Sequence, residues 1–386
     1  MTSDGLYYLD HAAATPVDER VLAEMQPYFG ERFFNPSSPY APAVAVRRDY
    51  FDAKARLAHT FGAKADEIII TAGATESINL AFSAVTGHVV ISAIEHDAVV
   101  AAAKRHSHTL VAPTEKGIIT PEAVGAAITP DTELVSVQLA NNEIGTIQPV
   151  RQIAEKIRTI QAARLKENNK RPLALHCDAS QGFGQIDIHT ARLGIDLLTL
   201  NAGKMYGPKQ VGLLWVRPGV HVEPLIVGGG QERGLRSGTE NVAGTIGFAK
   251  AAELADRHRK SEAERLSKLR DTMEQTLANA FKQAVVSGHP KKRLPGSLHI
   301  SMPGLDAERL VFALEQRGVM LATGSACAAN KNTRSHVLTA LGMSDELADG
   351  SLRLTFGRLS NEENCRQAAA IIVEEVKKEY ERVGRA

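Results

Sequence analysis

Between residues 67 and 216, short apolar runs alternate with helix-length stretches. Ile68-Ile69-Ile70-Thr71, Val89-Val90-Ile91-Ser92, Leu134-Val135-Ser136-Val137, Leu173-Ala174-Leu175-His176-Cys177, Leu197-Leu198-Thr199-Leu200 and Val211-Gly212-Leu213-Leu214-Trp215-Val216 read as buried strands. Their continuous apolar character is what a strand covered on two faces requires, and the segments between most of them predict a mostly parallel α/β sheet. Ligands of such sheets bind beyond the carboxyl ends of the strands. Polar clusters stand at those positions: Thr71-Ala72-Gly73-Ala74-Thr75, Glu95-His96-Asp97, Asn141-Asn142-Glu143, Asp178-Ala179-Ser180-Gln181 and Asn201-Ala202-Gly203-Lys204.

Ahead of this region lie two turn-rich entries, His11-Ala12-Ala13-Ala14-Thr15-Pro16 and Asn35-Pro36-Ser37-Ser38-Pro39-Tyr40, where Asn-Pro and Pro-flanked Ser initiate turns. After it comes a glycine-dense loop from Gly228 to Thr239, whose composition suits a backbone approaching something closely. Leu254, Leu266, Leu269, Met273, Leu277 and Phe281 then recur mostly at helical spacing and mark a passage into a second unit. That unit has an expected strand at Leu298–Ser301, a helix from about Ala307 to Arg317, a loop from Ala322 to Cys327, a strand at Leu352–Thr355 and a charged amphipathic final helix. The expected division is a large domain over 12–255 and a smaller α+β domain made of 1–11 and 256–386. The polar stretch Leu165 to Arg171 reads as a solvated helix end or loop.

Composition narrows the classes. The 386 residues are 44% hydrophobic and 23% charged, and the net charge is +1, so no global field favours nucleic acid or an anionic membrane. No apolar run approaches the ~20 residues of a membrane span. The polar start Met1-Thr2-Ser3-Asp4-Gly5 lacks the core of a signal peptide, and a cytoplasmic protein is expected. Cys177, Cys327 and Cys365 are too few and scattered for a disulfide framework or a CxxC metal site.

Candidate chemistry centres on Lys204, which follows an apolar strand and is either a solvated charge or a reactive amine. Asp178 is either a helix N-cap or a carboxylate that keeps a pyridinium nitrogen protonated. Together, Asp178 and Lys204 suit pyridoxal phosphate, which needs both an acid partner and an amine. Gly73-Ala74-Thr75 opens a helix after a strand, so amides there and the Thr75 hydroxyl suit a phosphate. His96 is a structural histidine or one that stacks on a ring and moves protons. Arg353 is a surface arginine or the fork for a substrate carboxylate. Cys327, among small residues, suits an exposed nucleophilic thiol, whereas Cys177 and Cys365 read as buried and structural.

These blocks together resemble the cysteine desulfurases of the class V aminotransferase family, specifically the housekeeping iron–sulfur branch with a long catalytic loop. The resemblance runs nearly end to end, through Tyr8-Leu9-Asp10, Asn35 to Ser38, Thr71 to Leu80, Glu95-His96, Asn141 to Gly145, Asp178 to Gln181, Lys204 to Lys209, Gly228 to Thr239, Gly324 to Cys327 and Arg353 to Arg358. It implies a fold-type I homodimer that uses pyridoxal 5'-phosphate to convert L-cysteine to L-alanine and leaves a persulfide on Cys327. By the same resemblance, Lys204 is the cofactor-bonding lysine and the base at the α-carbon, Asp178 pairs with the ring nitrogen, Gln181 contacts the ring oxygen and His96 stacks on the ring. Ala74, Thr75 and Asn201 belong to the phosphate side, joined by Thr239 of the other subunit, and Asn142 with Arg353 binds the substrate carboxylate. The implied partners are L-cysteine and a sulfur-acceptor protein such as an iron–sulfur scaffold, or a route to tRNA thiolation, with no direct nucleic-acid or membrane contact.

The chain departs from the family where a serine and a histidine usually precede the lysine: Asn201 and Gly203 stand there, which alters two phosphate contacts. His11 and Tyr40 also replace residues common in the family. A selenocysteine lyase, a cysteine sulfinate-acting relative and a cofactor-binding scaffold without turnover remain as alternative readings.

Overall fold

The computed structural model describes residues 5–324 and 334–385. In chain order the elements are β1 (Tyr7–Tyr8), α1 (Glu19–Met25), α2 (Ala41–His59), β2 (Ile68–Thr71), α3 (Ala74–Ala81), β3 (His88–Ser92), α4 (Asp97–Ala103), β4 (His108–Val111), α5 (Pro121–Ala127), β5 (Thr132–Ser136), α6 (Val150–Lys166), β6 (Ala174–Asp178), α7 (Thr190–Leu193), β7 (Leu197–Asn201) and β8 (Gly212–Val216). There follow α8 (Val242–Ala280), β9 (Val285–Val286), β10 (Ser297–Ser301), α9 (Ala307–Glu315), β11 (Val319–Met320), β12 (Ala322–Thr323), α10 (His336–Ala340), α11 (Asp345–Asp349), β13 (Ser351–Thr355) and α12 (Glu362–Arg382).

The large sheet has the order β2-β8-β7-β6-β5-β3-β4. It is parallel from β7 to β4, while β8 runs antiparallel to its neighbours β7 and β2. Each of the predicted apolar runs is a strand of this sheet; Ile68–Thr71 matches at both ends and the others are displaced by at most two residues. Side-chain alternation sends Ile68 and Ile70 into the core on one face and Ile69 into the core on the other. The sheet is thus the middle of three layers, and the mostly parallel α/β architecture expected from the sequence is the one observed. The strand that the apolar pattern missed is β4. It is an edge strand with His108 and Leu110 exposed, so it carries no continuous apolar run.

A four-stranded antiparallel sheet, β12-β13-β10-β9, forms the second unit, and β1 pairs in parallel with β11 beside it. The 39-residue helix α8 bridges the two cores. Its apolar residues up to Ala255 pack with the large sheet, and those from Leu266 onward pack with the small one. The helical pattern stops one residue short of Phe281, which caps α8, and α9 likewise ends at Glu315 instead of near Arg317. Although α10 follows the small-sheet strands in sequence, its Val337 packs with the large-sheet core, supported by Ala340 and Leu341. The polar stretch after Leu165 is the exposed end of α6, and Cys177 and Cys365 are buried.

The glycine-dense loop is tied down by a buried ion pair. Glu232 accepts from Lys54 of α2 at 2.8 Å, from the Tyr50 hydroxyl at 2.5 Å and from the Ile70 amide of β2 at 2.8 Å. The Lys54 and Glu232 side chains are 4% and 5% exposed. Glu232 and Arg233 hold left-handed φ angles of 49° and 61°, a conformation that costs a non-glycine residue energy and persists where surrounding contacts impose it. Replacing Glu232 with Ala leaves a lysine buried without its counterion and is expected to cost about 3–5 kcal/mol, read as a shift of the urea unfolding midpoint. A change within about 0.5 kcal/mol, the range of an ordinary surface substitution, would show that the loop does not depend on this anchor.

Candidate active site

The carboxyl ends of β2, β3, β5, β6 and β7 converge as a parallel sheet requires. At the first of them, Gly73 adopts a φ of +139°, a conformation that favours glycine, and α3 starts immediately after it with no side-chain cap. A Cβ on Gly212 of β8 would lie 2.7 Å from the Gly73 backbone, so the glycine lets the neighbouring strand close against this turn. The first-turn amides of α3 therefore sit at a positive helix end with no side-chain acceptor.

At the end of β3, His96 caps α4, its Nδ1 accepting from the Ala98 amide at 3.1 Å. This assigns the proton of the neutral ring to Nε2. Beyond β6, Asp178 accepts the Ser180 amide on Oδ1 at 3.0 Å. The bond closes an Asx turn, not an α-helix cap. Asn201 likewise accepts the Gly203 amide at 3.0 Å, and the Gly203 carbonyl accepts the Thr15 hydroxyl at 3.1 Å. A side-chain Cβ at Gly203 would meet neighbours no closer than 3.4 Å, so space does not impose glycine there.

Lys204 is partly buried, and its Nζ donates to the carbonyls of Ala12 and Ala13 at 2.8 and 2.7 Å. Gln181 Nε2 donates to the same Ala12 carbonyl at 3.1 Å. The surface reading of Arg353 is excluded: its side chain is 4% exposed, Nη2 donates to Asp10 at 2.8 Å and Nη1 to the Asn142 carbonyl at 3.2 Å. His11 is buried as well, donating from Nδ1 to the Thr355 carbonyl at 3.0 Å, and burial holds its pKa below the usual histidine value.

A cavity of about 320 Å³ lies between these groups. Ala74, Thr75, His96, Asn142, Asp178, Gln181, Asn201, Lys204 and Arg353 line it, and so do Ala12, Ala13, Gln138 and Ser180, to which the sequence reading assigned no role. A second cavity of about 350 Å³ shares Ala12, Asn142, Gln181 and Lys204 with it and extends toward Tyr206 and Arg358. The first is the candidate chemical site, because it brings Asp178, His96 and Arg353 together with Lys204. Thr239 is exposed on the glycine loop and does not line this cavity. Cys327 lies outside the described residues.

The cavity fits pyridoxal 5'-phosphate on three observations. The uncapped start of α3 suits a phosphate, Asp178 offers Oδ2 with no hydrogen bond from any described residue, and the buried Ser180 hydroxyl has no partner among them. Buried polar groups normally find one. Two further carboxyls flank the site. Burial pushes Glu95 up to about 8, opposed by bonds from the Ser92 hydroxyl and the Gln138 amide. Burial also raises Glu143 to about 7, opposed by a bond from Ser335 and by the charge of Arg353. Burial thus favours the uncharged form of Glu95, as does the neighbouring charge of Asp178.

Comparison with known proteins agrees with this geometry. Residues 7–367 match the family model described as Aminotransferase class-V. The chain is 41% identical over 371 residues to a protein named "Cysteine desulfurase IscS 1" from Archaeoglobus fulgidus, covering 92% of this chain and 93% of that one. Among solved structures, one titled "NIFS-LIKE PROTEIN" aligns with a TM-score of 0.87 at 32% identity, over 97% of this chain and 100% of the other. Another, titled "SspA in complex with cysteine", aligns with a TM-score of 0.77 at 32% identity, over 91% and 98%. With a family match spanning nearly the whole chain and an ordered set of strand-end residues to account for it, the protein belongs to the class V aminotransferase family.

Proposed function

We propose that the protein is a cysteine desulfurase dependent on pyridoxal 5'-phosphate, which converts L-cysteine to L-alanine and transfers the sulfur to Cys327 as a persulfide. The observation that carries this reading is the opening of Lys204, Asp178 and the Arg353–Asn142 pair onto one cavity. When bound, the cofactor supplies an electron sink that stabilises negative charge at the substrate α-carbon.

The side chains divide the remaining work. With the cofactor bound, the α3 amides and the Thr75 hydroxyl would hold its phosphate, Asp178 would keep the ring nitrogen protonated, Gln181 would bond the ring oxygen and His96 would contact the ring. Arg353 and Asn142 bind the substrate carboxylate. The donor fork of Arg353 matches a carboxylate, and its bonds to Asp10 and to the Asn142 carbonyl fix its direction in advance. Lys204, held beside the Ala12 and Ala13 carbonyls, takes the α-proton and delivers one back. The Cys327 thiolate attacks the substrate sulfur, so a C–S bond breaks as an S–S bond forms. In the overall balance, L-cysteine and one protein thiol become L-alanine and one protein persulfide.

A homodimer in a cytoplasmic setting belongs to the same reading. Phe29, Phe33, Tyr40 and Val227 are exposed apolar residues suited to a subunit contact, and exposed Thr239 would reach the partner's phosphate. No helix among the described residues is long and apolar enough to cross a membrane. The sulfur then passes to an acceptor protein, of which an iron–sulfur scaffold is the expected kind.

The protein as purified is expected to carry a visible absorbance band from the cofactor that changes on adding L-cysteine; a protein with no bound cofactor would favour the scaffold reading. Lys204→Ala should abolish that band and lower alanine formation by ~10²–10⁴-fold, the usual scale for losing a general base. Cys327→Ala should stop persulfide formation, measured by alkylation and mass spectrometry, and sulfide release at the parent rate would refute its role as nucleophile. Arg353→Lys should raise the KM for L-cysteine roughly tenfold or more by removing a two-point charged contact, with the cofactor band retained.

A further inference from the structure

The 141–143 turn does more than present Asn142. Asn141 locks it: Oδ1 accepts the Glu143 and Ile144 amides at 2.9 Å each, and Nδ2 donates to the Ile94 carbonyl at 2.9 Å. The next residue offers its carbonyl to Arg353. Glu143 turns the other way and accepts the Ser335 hydroxyl on Oε2 at 2.5 Å, with the residues 6% and 3% exposed.

The direction of that bond is set by Ser335 itself. Its oxygen accepts the Val337 and Leu338 amides at 3.1 and 3.3 Å, capping α10. The two lone pairs are thereby used, and the hydroxyl proton goes to Glu143. A carboxylate is the stronger acceptor for such a proton. The helix so capped is also docked on the large sheet through Val337 in its core and through His336, whose Nε2 lies 2.8 Å from the Glu95 carbonyl. Burying a carboxyl is costly unless it makes a specific bond, and the proposed chemistry gives Glu143 no direct part.

We propose that Glu143 is a positioning residue for the Asn142–Arg353 carboxylate site, fastening the turn that bears Asn142 to the head of α10 through Ser335. The assignment rests on the reading of Asn142 and Arg353 given above. Losing the bond frees the turn on one side and the helix cap on the other. The effect on catalysis falls first on substrate binding, because Asn142 lies on the fastened turn and bonds Arg353 directly, whereas Lys204 bonds Ala12 and Ala13 outside it.

The test uses the cofactor-loaded protein and the variants Glu143→Ala, Glu143→Gln, Ser335→Ala and the double alanine variant. Glu143→Ala and Ser335→Ala should each raise the KM for L-cysteine roughly tenfold, the scale of one charge-assisted hydrogen bond, while kcat changes far less. The double variant should be no worse than Ser335→Ala, which already breaks the link to Glu143 and removes the α10 cap. Glu143→Gln keeps an acceptor oxygen and should recover most of the affinity. Amide hydrogen exchange without substrate gives an independent reading: Glu143→Ala should speed exchange at Val337 and Leu338 as well as at Ile144. Additive effects of the two single variants, a lower kcat at unchanged KM, or unaltered exchange at Val337 and Leu338 would overturn the proposal. A parent protein that does not turn over L-cysteine would refute the functional reading, and the exchange coupling would still decide the role of Glu143.

Discussion

A buried guanidinium needs a counter-charge and acceptors inside the protein, and Arg353 places its two Nη groups on two other pieces of chain while its Nε has no partner among the described residues. It sits on β13 of the small sheet, pairs with Asp10 just after β1, and donates to the Asn142 carbonyl beyond β5. Removing any one partner would leave a charge or a donor unsatisfied in a site that water hardly reaches. The small sheet, the N-terminal segment and the large sheet thus meet at one side chain, in addition to being bridged by α8.

The same constraint reaches the lysine. With Asp10 committed to Arg353, the backbone that follows is drawn along β13: the Ala12 amide donates to the Thr355 hydroxyl at 2.9 Å, and His11 bonds the Thr355 carbonyl through its ring. The carbonyls of Ala12 and Ala13 then face Lys204, and Gln181 shares one of them. Residues 10–13 thus act as a strap that relates the Arg353 guanidinium to the Lys204 amine. Small side chains at Ala12 and Ala13 leave the cavity open while the backbone does the holding.

Burial also sorts the acidic groups around the site. Glu95 is fully enclosed, and burial raises its pKa to about 8, favouring the uncharged form. Glu143 lies nearer the balance point because Ser335 and Arg353 favour its charged form. His176, fully buried on β6 between the hydroxyls of Ser136 and Thr199, is held neutral with a pKa lowered to about 4 by burial. Two residues further along the same strand and facing the same way, Asp178 meets the cavity above a neutral, fully bonded layer.

Much of this was legible in the sequence alone. A strand buried on two faces must be apolar throughout, so the inner strands announced themselves, and the polar residues that interrupt each run marked the rim where a ligand belongs. Residue types suited to covalent, proton-transfer and ion-pairing roles, Lys204, His96, Asp178 and Arg353, stood out because few other residues can fill them. Edge strand β4 was hidden because its exposed positions dilute the apolar signal. The strap over Lys204, the Asp10–Arg353 pair, the Glu143–Ser335 bond and the packing of α10 on the large sheet were decided by the tertiary structure. Asp10 and Arg353 lie 343 positions apart, Ala12 and Lys204 192 apart, and alanine, serine and glutamate are common residues whose roles arise from what folding brings beside them.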